Sequence, residues 1–251
     1  MWADWLRNYI QRTMQEHVVG DVTIFPTQQE ETVKRRTGDP HSRRIKCVCR
    51  PCNNEWMSQL QEDTKRFLLP MLAGHETVLR KIGQTTLASW ITMMVMVSEY
   101  IDLDKIAVSA ADRRWFYLNR RPPSHWRIWI GRHGREKYPL FVHNVLSCAT
   151  EEKFERSSSN SAAELNTQTS TICLGEHLLI HVMSSPTARS IIRRWKLPSG
   201  MEGALNQIWP IRNSAVAWPP SLIITDAGID TLAQQFVIAA VNVLKRRMGT
   251  I

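Results

Sequence analysis

Three cysteines fall within six positions of the sequence, at Cys47, Cys49 and Cys52. Cys49 and Cys52 have the Cys-x-x-Cys spacing that lets two thiolates bind one tetrahedral Zn²⁺. Apolar residues follow at near-helical spacing, so the sequence predicts a helix directly after the cysteines. We therefore expect a short knuckle that places a thiol pair at a helix N-terminus, where the backbone dipole stabilises thiolates and anions.

The run Cys49-Arg50-Pro51-Cys52-Asn53 is similar to the C-R-x-C-N/H segment of HNH endonucleases of the treble-clef, ββα-metal type. The longer run from Cys49 to Ser58 resembles a bacterial and phage family of HNH-like proteins, in which it reads approximately C-R-x-C-N-N-G-W-M-S. Two later segments resemble further patterns of that family, Leu87-Ala88-Ser89-Trp90 and Gln207-Ile208-Trp209-Pro210.

The resemblance implies a catalytic site for phosphodiester hydrolysis. HNH enzymes use an acidic–His pair, whose His activates water and whose partner helps to hold a divalent metal at the scissile phosphate. Glu16-His17 is the acidic–His pair ahead of the cysteines. The resemblance thus implies His17 as the provisional base, with Glu16 and Asn53 as provisional ligands of Mg²⁺ or Mn²⁺.

The position of this pair departs from the family pattern. In the family the pair precedes a Trp-x-x-Trp-Leu element, which here is Trp2-Ala3-Asp4-Trp5-Leu6. The family's pair would therefore fall before Met1, and we expect the chain to be an N-terminally shortened relative. Such a protein should cleave DNA poorly or not at all with Mg²⁺ or Mn²⁺.

Several of these residues also have a plain structural interpretation. Cys47, Cys49 and Cys52 could bind a structural Zn²⁺, with His41, His17 or water as a further ligand, or they could be buried free thiols. Asn53 could be a metal ligand, but helix capping is the more common role of such an Asn, and Asn54 is an equivalent candidate.

The charge of the chain is concentrated in two stretches. The net charge is +9, and residues 33–53 and 113–137 hold most of the excess Lys and Arg. A polyanionic partner is the natural explanation, and we expect nucleic acid, with DNA first. The candidate contacts are the following residues: Lys34, Arg35, Arg36, Arg43, Arg44, Lys46, Arg50, Arg113, Arg114, Arg120 and Arg121.

Aromatic residues interleave with the second basic stretch, at Trp115, Phe116 and Tyr117 and then at Trp126 and Trp129. Arginines beside aromatic rings suit phosphate contacts combined with base stacking. The alternative is that the rings face the core while the arginines face solvent. We expect the rings to be in the core and the arginines to face a partner.

The fold class predicted from these patterns is α+β. We expect a ββα or treble-clef-like knuckle-helix module over 1–73, packed on a helix-and-antiparallel-sheet domain over 74–251 that carries a polar loop near 150–171. The expected elements are a strand over 18–25, a loop or hairpin over 27–44, a short strand over 45–48, helices over 55–73, 76–101, 109–119 and 229–247, and strands over 126–131, 140–146, 171–175 and 178–183.

Other patterns exclude whole classes of protein. The start of the chain lacks the basic and apolar regions of a signal peptide, and the apolar run from Leu87 to Val97 is too short to span a bilayer. Five cysteines in a chain of 251 residues do not indicate a disulfide framework. We therefore expect a cytoplasmic bacterial or phage protein without a membrane partner. The alternative function is a non-catalytic protein-interaction module or inhibitor that docks through its basic surfaces.

The cysteine spacing predicts at most one Zn²⁺ per chain, bound through Cys49 and Cys52. Elemental analysis of the purified protein should give a zinc-to-protein ratio no higher than one, and a chelator should lower the melting temperature because metal binding is coupled to folding. A protein without metal, in which all five thiols react freely with a thiol reagent, would contradict this prediction.

Overall fold

The computed structural model describes residues 4–9, 17–24, 29–36, 45–101, 103, 106–134, 140–146, 166–186, 192 and 195–234. Within these residues the protein combines helices with mainly antiparallel strands, so the predicted α+β class is confirmed.

Among the described residues, the helices begin at the cysteine segment, apart from a 3₁₀ turn over Asp4–Asn8. They are α1 (Arg50–Asn54), α2 (Trp56–Leu72), α3 (Lys81–Ser98), α4 (Ala110–Asn119) and a helix over 226–234, here α5. A second 3₁₀ turn, Glu99–Ile101, extends α3.

Ten strands form three sheets among the described residues. They are β1 (His17–Ile24), β2 (Gln29–Arg36), β3 (Thr77–Arg80), β4 (Arg127–His133), β5 (Leu140–Leu146), β6 (Thr167–Leu174), β7 (Leu178–Ser184), β8 (Leu205–Trp209), β9 (Ala215–Trp218) and β10 (Ile223–Ile224).

The main sheet has the strand order β10-β4-β7-β6-β5, and β8 also pairs with β4. All its pairings are antiparallel except the short parallel pairing of β10 with β4. The strands β1 and β2 form an antiparallel hairpin, and β3 pairs with β9. Every residue of β6 and β7 is buried, so this part of the sheet is covered on both faces.

Two apolar clusters cover these faces. The larger one joins α2, α3 and α4 to one face and includes Trp90 and Trp126. The smaller one lies on the other face, around Trp129, and includes residues of α5 such as Ile229 and Leu232. The larger cluster contains residues from both sides of position 73, because Leu68 and Met71 of α2 pack in it together with α3.

The strand β6 shows how a polar run can form a buried strand. Several of its polar side chains have polar partners across the sheet: Gln168 donates from Nε2 to Ser184 Oγ (3.1 Å), and Thr167 donates to Ser185 Oγ (2.7 Å). Since buried polar groups are stable when hydrogen-bonded, these contacts stabilise the polar run as a strand, while Thr169 Oγ1 is buried without a partner among the described residues. The predicted polar loop is therefore wrong over 167–171, and residues 147–165 lie outside the described part of the chain.

Local predictions succeeded where the pattern is self-contained. The strand over 18–25 and the helices over 55–73 and 109–119 are confirmed, as are the strands near 126–131, 140–146, 171–175 and 178–183. The segment 27–44 contains one strand, β2, which pairs with β1 rather than forming a hairpin of its own, and residues 37–44 lie outside the described part of the chain. The last helix is confirmed as far as residue 234. Two predictions are wrong: residues 45–48 form no strand, and residues 77–80 are β3 rather than the start of a helix, because they pair with β9.

In the described part of the chain, the helices are too short or too polar to cross a lipid bilayer.

His181 on β7 is fully buried beside the rings of Trp129 and Trp195. Its Nδ1 atom lies 2.9 Å from Thr171 Oγ1, whereas Nε2 has no hydrogen-bond partner among the described residues. Burial lowers the pKa of His181 to about 3. The neutral imidazole is therefore the form that the folded protein accommodates.

His181 should make the protein less stable in mild acid. Because the unfolded chain takes up a proton near pH 6.5 and the folded one only near pH 3, the stability is fully present above pH 6.5 and falls as the pH drops toward the folded pKa. Between pH 7 and pH 5 this contribution is about 2 kcal/mol. Urea unfolding at both pH values should show a smaller pH-dependent loss for His181→Gln than for the parent chain. An equal loss would mean that other groups cause it.

Candidate functional site

A pocket of about 270 Å³ opens between the cysteine segment, α2, the end of α3 and α4. Most of its wall is apolar or aromatic, from Trp56, Met93, Val97 and Phe116 among others. Cys47, Cys49 and Cys52 also line the pocket. We call this site the thiol pocket. It brings together the two stretches that the sequence marks separately, the cysteines and the second basic stretch.

The thiol pair reaches the pocket through a short helix. Cys49 is the N-cap residue of α1, with an extended backbone (φ −66°, ψ 153°), and Asn53 N–H donates to its carbonyl oxygen at 3.0 Å. Pro51 lies in the first turn of α1. Proline suits this position because a backbone N–H in the first turn of a helix has no helical acceptor, so no hydrogen bond is lost when the N–H is missing. α1 ends at Asn54, and the chain turns at Glu55 into α2. Cys49 thus lies at the N-terminus of α1 and Cys52 within the helix, whereas the treble-clef-like module stays a prediction.

Cys47 and Cys49 differ in their acidity. The Cys49 side chain does not cap α1, but the backbone N–H and the thiol of Cys52 stabilise its thiolate and lower its pKa. Burial raises the pKa of Cys47, and the positive charge of Arg113 opposes this only in part. Cys49 is also exposed, whereas Cys47 is half-buried. Cys49 is therefore both more accessible than Cys47 and more readily ionised.

The described residues contain no group of three or more His, Cys, Asp or Glu side chains placed to hold a metal ion. Cys49 and Cys52 are close enough to interact and could supply two of the four ligands that Zn²⁺ prefers. The further ligands would come from elsewhere. Glu16 and His41 lie outside the described residues, and His17 begins β1 opposite Arg36, with only its backbone described.

Asn53 does not cap a helix, so that prediction is wrong. The N-cap positions of α1 and α2 are Cys49 and Glu55, because the chain becomes helical before Asn53 rather than after it. Asn53 is exposed in α1, and its amide donates to the Oδ1 atom of Asn54 at 3.2 Å. Its amide oxygen thus faces no described protein donor, and its role as a metal ligand stays a prediction.

Helix α4 forms the opposite wall. Ser109 caps it by accepting from Asp112 N–H (3.1 Å), as the sequence predicts. The buried carboxylate of Asp112 then binds His125 Nε2 (2.9 Å) and accepts from Trp126 Nε1 (3.1 Å). These contacts fix the chain that follows α4 against the helix itself.

Arg113 has a different role from the one predicted. Its guanidinium turns inward and donates to Met96 O (2.7 Å), to Val108 O (3.3 Å) and to the carboxylate of Glu99. Since these partners occupy donors on all three nitrogens, Arg113 stabilises the junction of α3 and α4 and is not an available phosphate contact.

Arg114, Arg120 and Arg121 are exposed, as predicted for contacts to a partner. Arg120 ends α4 in the left-handed conformation (φ 55°). Its guanidinium carbon lies 4.0 Å from the ring centroid of Trp56 and 4.7 Å from that of Tyr117, so two cation–π contacts hold it at the edge of the pocket.

The aromatic residues of α4 divide between core and solvent. Phe116 is buried, as are Trp126 and Trp129, which agrees with the prediction. Trp115 and Tyr117 are 43% and 49% exposed, so the prediction is wrong for these two rings. Three consecutive residues of a helix point in different directions, and only one of them can face a flat core.

The first basic stretch contributes Lys46 and Arg50, both exposed beside the cysteines that line the pocket. Lys34, Arg35 and Arg36 lie on β2, where the structure describes only the backbone. Arg43 and Arg44 lie outside the described residues. Their contacts to nucleic acid stay predictions.

Sequence reasoning missed Glu99, whose side chain is fully buried at the end of α3. Its carboxylate accepts from the backbone N–H groups of Ala107 and Val108 (3.0 and 3.1 Å) and pairs with Arg113, and His143 Nε2 lies 3.4 Å away. One signal was available: Glu99 is the only charged residue between Leu87 and Tyr100. A carboxylate in such an apolar run needs a buried partner.

Comparison of the chain with protein-family models, with curated proteins and with solved structures gave no match. The resemblance to HNH proteins therefore rests on the sequence segments that carry it, chiefly the cysteine segment.

Replacing Arg113 with Met should destabilise the fold by about 3–5 kcal/mol, because it leaves the Glu99 carboxylate buried without its cation. Urea unfolding measures this change. Arg114→Met, an exposed position on the same helix, is the matched control and should change the free energy of unfolding by less than about 0.5 kcal/mol.

The double variant Glu99→Gln/Arg113→Met should recover part of the loss, because it removes both buried charges and keeps an acceptor for Val108 N–H. A double variant as unstable as the sum of the two single variants would show that the pair is not coupled.

Proposed function

We propose that this protein binds nucleic acid, and DNA in the first place, across the edges of the thiol pocket. Exposed cationic side chains occur in both segments that contribute to the pocket lining, Lys46 and Arg50 beside the cysteines and Arg114, Arg120 and Arg121 on α4 or directly after it. Arg120 contacts two lining residues, Trp56 and Tyr117. Such residues neutralise phosphates and release counterions, which is the main source of affinity in this class of complexes.

One observation carries the proposal. On α4 the aromatic rings of Trp115 and Tyr117 are exposed to solvent, and the guanidinium carbon of Arg120 lies 4.7 Å from the ring centroid of Tyr117. A merely solvated basic helix would keep its rings in the core. Exposed rings next to guanidinium groups provide the combination of phosphate contact and base stacking that nucleic-acid-binding surfaces use.

The proposal extends to an HNH-like, treble-clef-derived origin. The order of elements supports it, because the hairpin of β1 and β2 precedes the Cys49–Cys52 pair and its helices, as a ββα arrangement requires. In this proposal Cys47, Cys49 and Cys52 provide ligands for a structural Zn²⁺. His17 would be the base, and Glu16 with Asn53 would hold Mg²⁺ or Mn²⁺, which would stabilise charge on the scissile phosphate. We propose that this relative has little or no cleavage activity and acts mainly by binding.

The proposed location is the cytoplasm. Cys47, Cys49 and Cys52 are free thiols, and a Cys-x-x-Cys pair such as Cys49 and Cys52 persists as thiols in a reducing compartment.

The affinity for a short fluorescent DNA should fall steeply as the salt concentration rises. In a plot of the logarithm of the binding constant against the logarithm of the salt concentration, each phosphate contact that is removed should make the slope flatter by about one unit. The variant Arg114→Gln/Arg120→Gln/Arg121→Gln should therefore bind more weakly with a slope flatter by about three units, as measured by fluorescence anisotropy. Replacing Arg35, Arg36, Arg43 and Arg44 with Ala tests the first basic stretch in the same way.

The control variant Arg80→Gln/Lys81→Gln changes two exposed cations at the other end of α3 from the pocket. It should keep the parent slope. Equal losses in the control and the α4 variant would indicate a diffuse charge effect. Absence of DNA binding by the parent chain would overturn the proposal and favour a protein partner.

A further inference from the structure

We infer that the thiol pocket receives one unstacked base of a single-stranded nucleic acid. This inference rests on the proposed function, and it names the form of nucleic acid that the site takes. The supporting observation is that the pocket has an apolar, aromatic interior and a cationic edge. The interior matches a flat base, and the edge matches the phosphate that is attached to it.

The interior offers ring surfaces to a flat ligand. Trp56 and Phe116 meet edge to face, with centroids 5.6 Å apart and an interplanar angle of 70°. Tyr117 lines the pocket and is half exposed, so one ring reaches from the interior to the outside. Base stacking on such rings contributes about 1–3 kcal/mol per base and tolerates every base.

The size of the pocket restricts the ligand. Its volume of about 270 Å³ lies below the range of about 300–1,000 Å³ that accommodates drug-sized molecules. A single ring system is the class of ligand that fits this space, whereas a longer stretch of the chain must stay outside.

The charges place the phosphate at the edge. Arg113 is the cation among the lining residues, and its donors are committed to Glu99 and to two backbone carbonyls. Arg120 by contrast is exposed and held beside Trp56 and Tyr117, which both line the pocket. Glu55 opposes an anion on the cysteine side. The backbone of the nucleic acid therefore follows α4 while a base turns inward.

The same geometry favours single strands over duplex. A base in a duplex must be unpaired and unstacked before it can enter, at a cost of a few kcal/mol, whereas a single strand has little of this cost. Few hydrogen-bonding groups line the pocket, so we expect weak preference among the four bases.

The test compares a single-stranded oligonucleotide with one of the same length in which abasic sites replace the central bases. The parent chain should bind the abasic strand at least about tenfold more weakly, which corresponds to the loss of one stacked base. Val97→Phe, which fills the pocket from α3, should bind the intact strand about tenfold more weakly and leave the affinity for the abasic strand unchanged. Val78→Phe, the same change at an exposed position on β3, is the matched control and should bind like the parent chain.

A second measurement needs no substitution. Iodoacetamide should modify Cys49 several-fold more slowly when the intact strand is bound, while the abasic strand at saturating concentration should protect it less. Peptide mass analysis identifies the modified cysteine. This readout keeps the test decisive if Val97→Phe does not fold.

The outcomes separate this inference from the proposed function. Equal affinity for intact and abasic strands together with an unprotected Cys49 would overturn the base pocket, and the proposed function would stand if the α4 arginine variant still lost affinity. Failure to bind any nucleic acid would overturn both. Preferential binding of a duplex, with no protection of Cys49, would also exclude the pocket as a base site.

Discussion

The buried carboxylate of Glu99 sets the geometry of the candidate site. An ionised carboxylate is stable in an apolar core only if it is paired and hydrogen-bonded, and Glu99 achieves this through Arg113 and the N–H groups of Ala107 and Val108. These partners come from the connection between α3 and α4 and from α4 itself. The pairing therefore decides where α4 lies relative to the end of α3, and the thiol pocket is the space between them.

Arg113 extends this constraint to the basic surface. Its guanidinium points into the junction, whereas Arg114, the next residue of the helix, and Arg120, at the end of the helix, are exposed. The stacking of Arg120 on Trp56 then links α4 to the first turn of α2, directly after the cysteine segment. Arg113, which stabilises the fold, and Arg120, which is exposed and can contact a partner, thus belong to the same helical segment. The sequence alone does not distinguish these two roles.

Much of the fold could be predicted from the sequence because many elements carry a local signal. The cap of α4 is an example, since Ser109 and Asp112 are three residues apart and interact within one turn. The strand β3 is the opposite case. Its residues continue an apolar pattern that suits a helix, and only the pairing of Thr77 with Trp218 and of Arg80 with Ala215 makes them a strand. Pairing between strands that are far apart in the sequence produces no local sequence pattern from which it could be predicted.

The individual segments of the candidate site could be predicted from the sequence, but not the fact that they line one pocket. The spacing of Cys49 and Cys52 indicates a thiol pair, and the arginines of α4 indicate a basic surface. Their common pocket depends on the packing of α2 against α3 and α4, which involves contacts such as that of Trp56 with Phe116. The exposure of Trp115 and Tyr117 likewise depends on which side of α4 the core occupies.

The main sheet has an evolutionary consequence. Alternate residues of β7 belong to different clusters: Ile180 and Val182 pack with the larger one, and Leu179 and Met183 with the smaller one. Substitutions around Trp129 and α5 therefore reach the thiol pocket only through the backbone of the sheet. The smaller cluster is therefore free to diverge by small side-chain replacements. The larger cluster, on the side of the thiol pocket, can keep its shape through many such changes in a lineage.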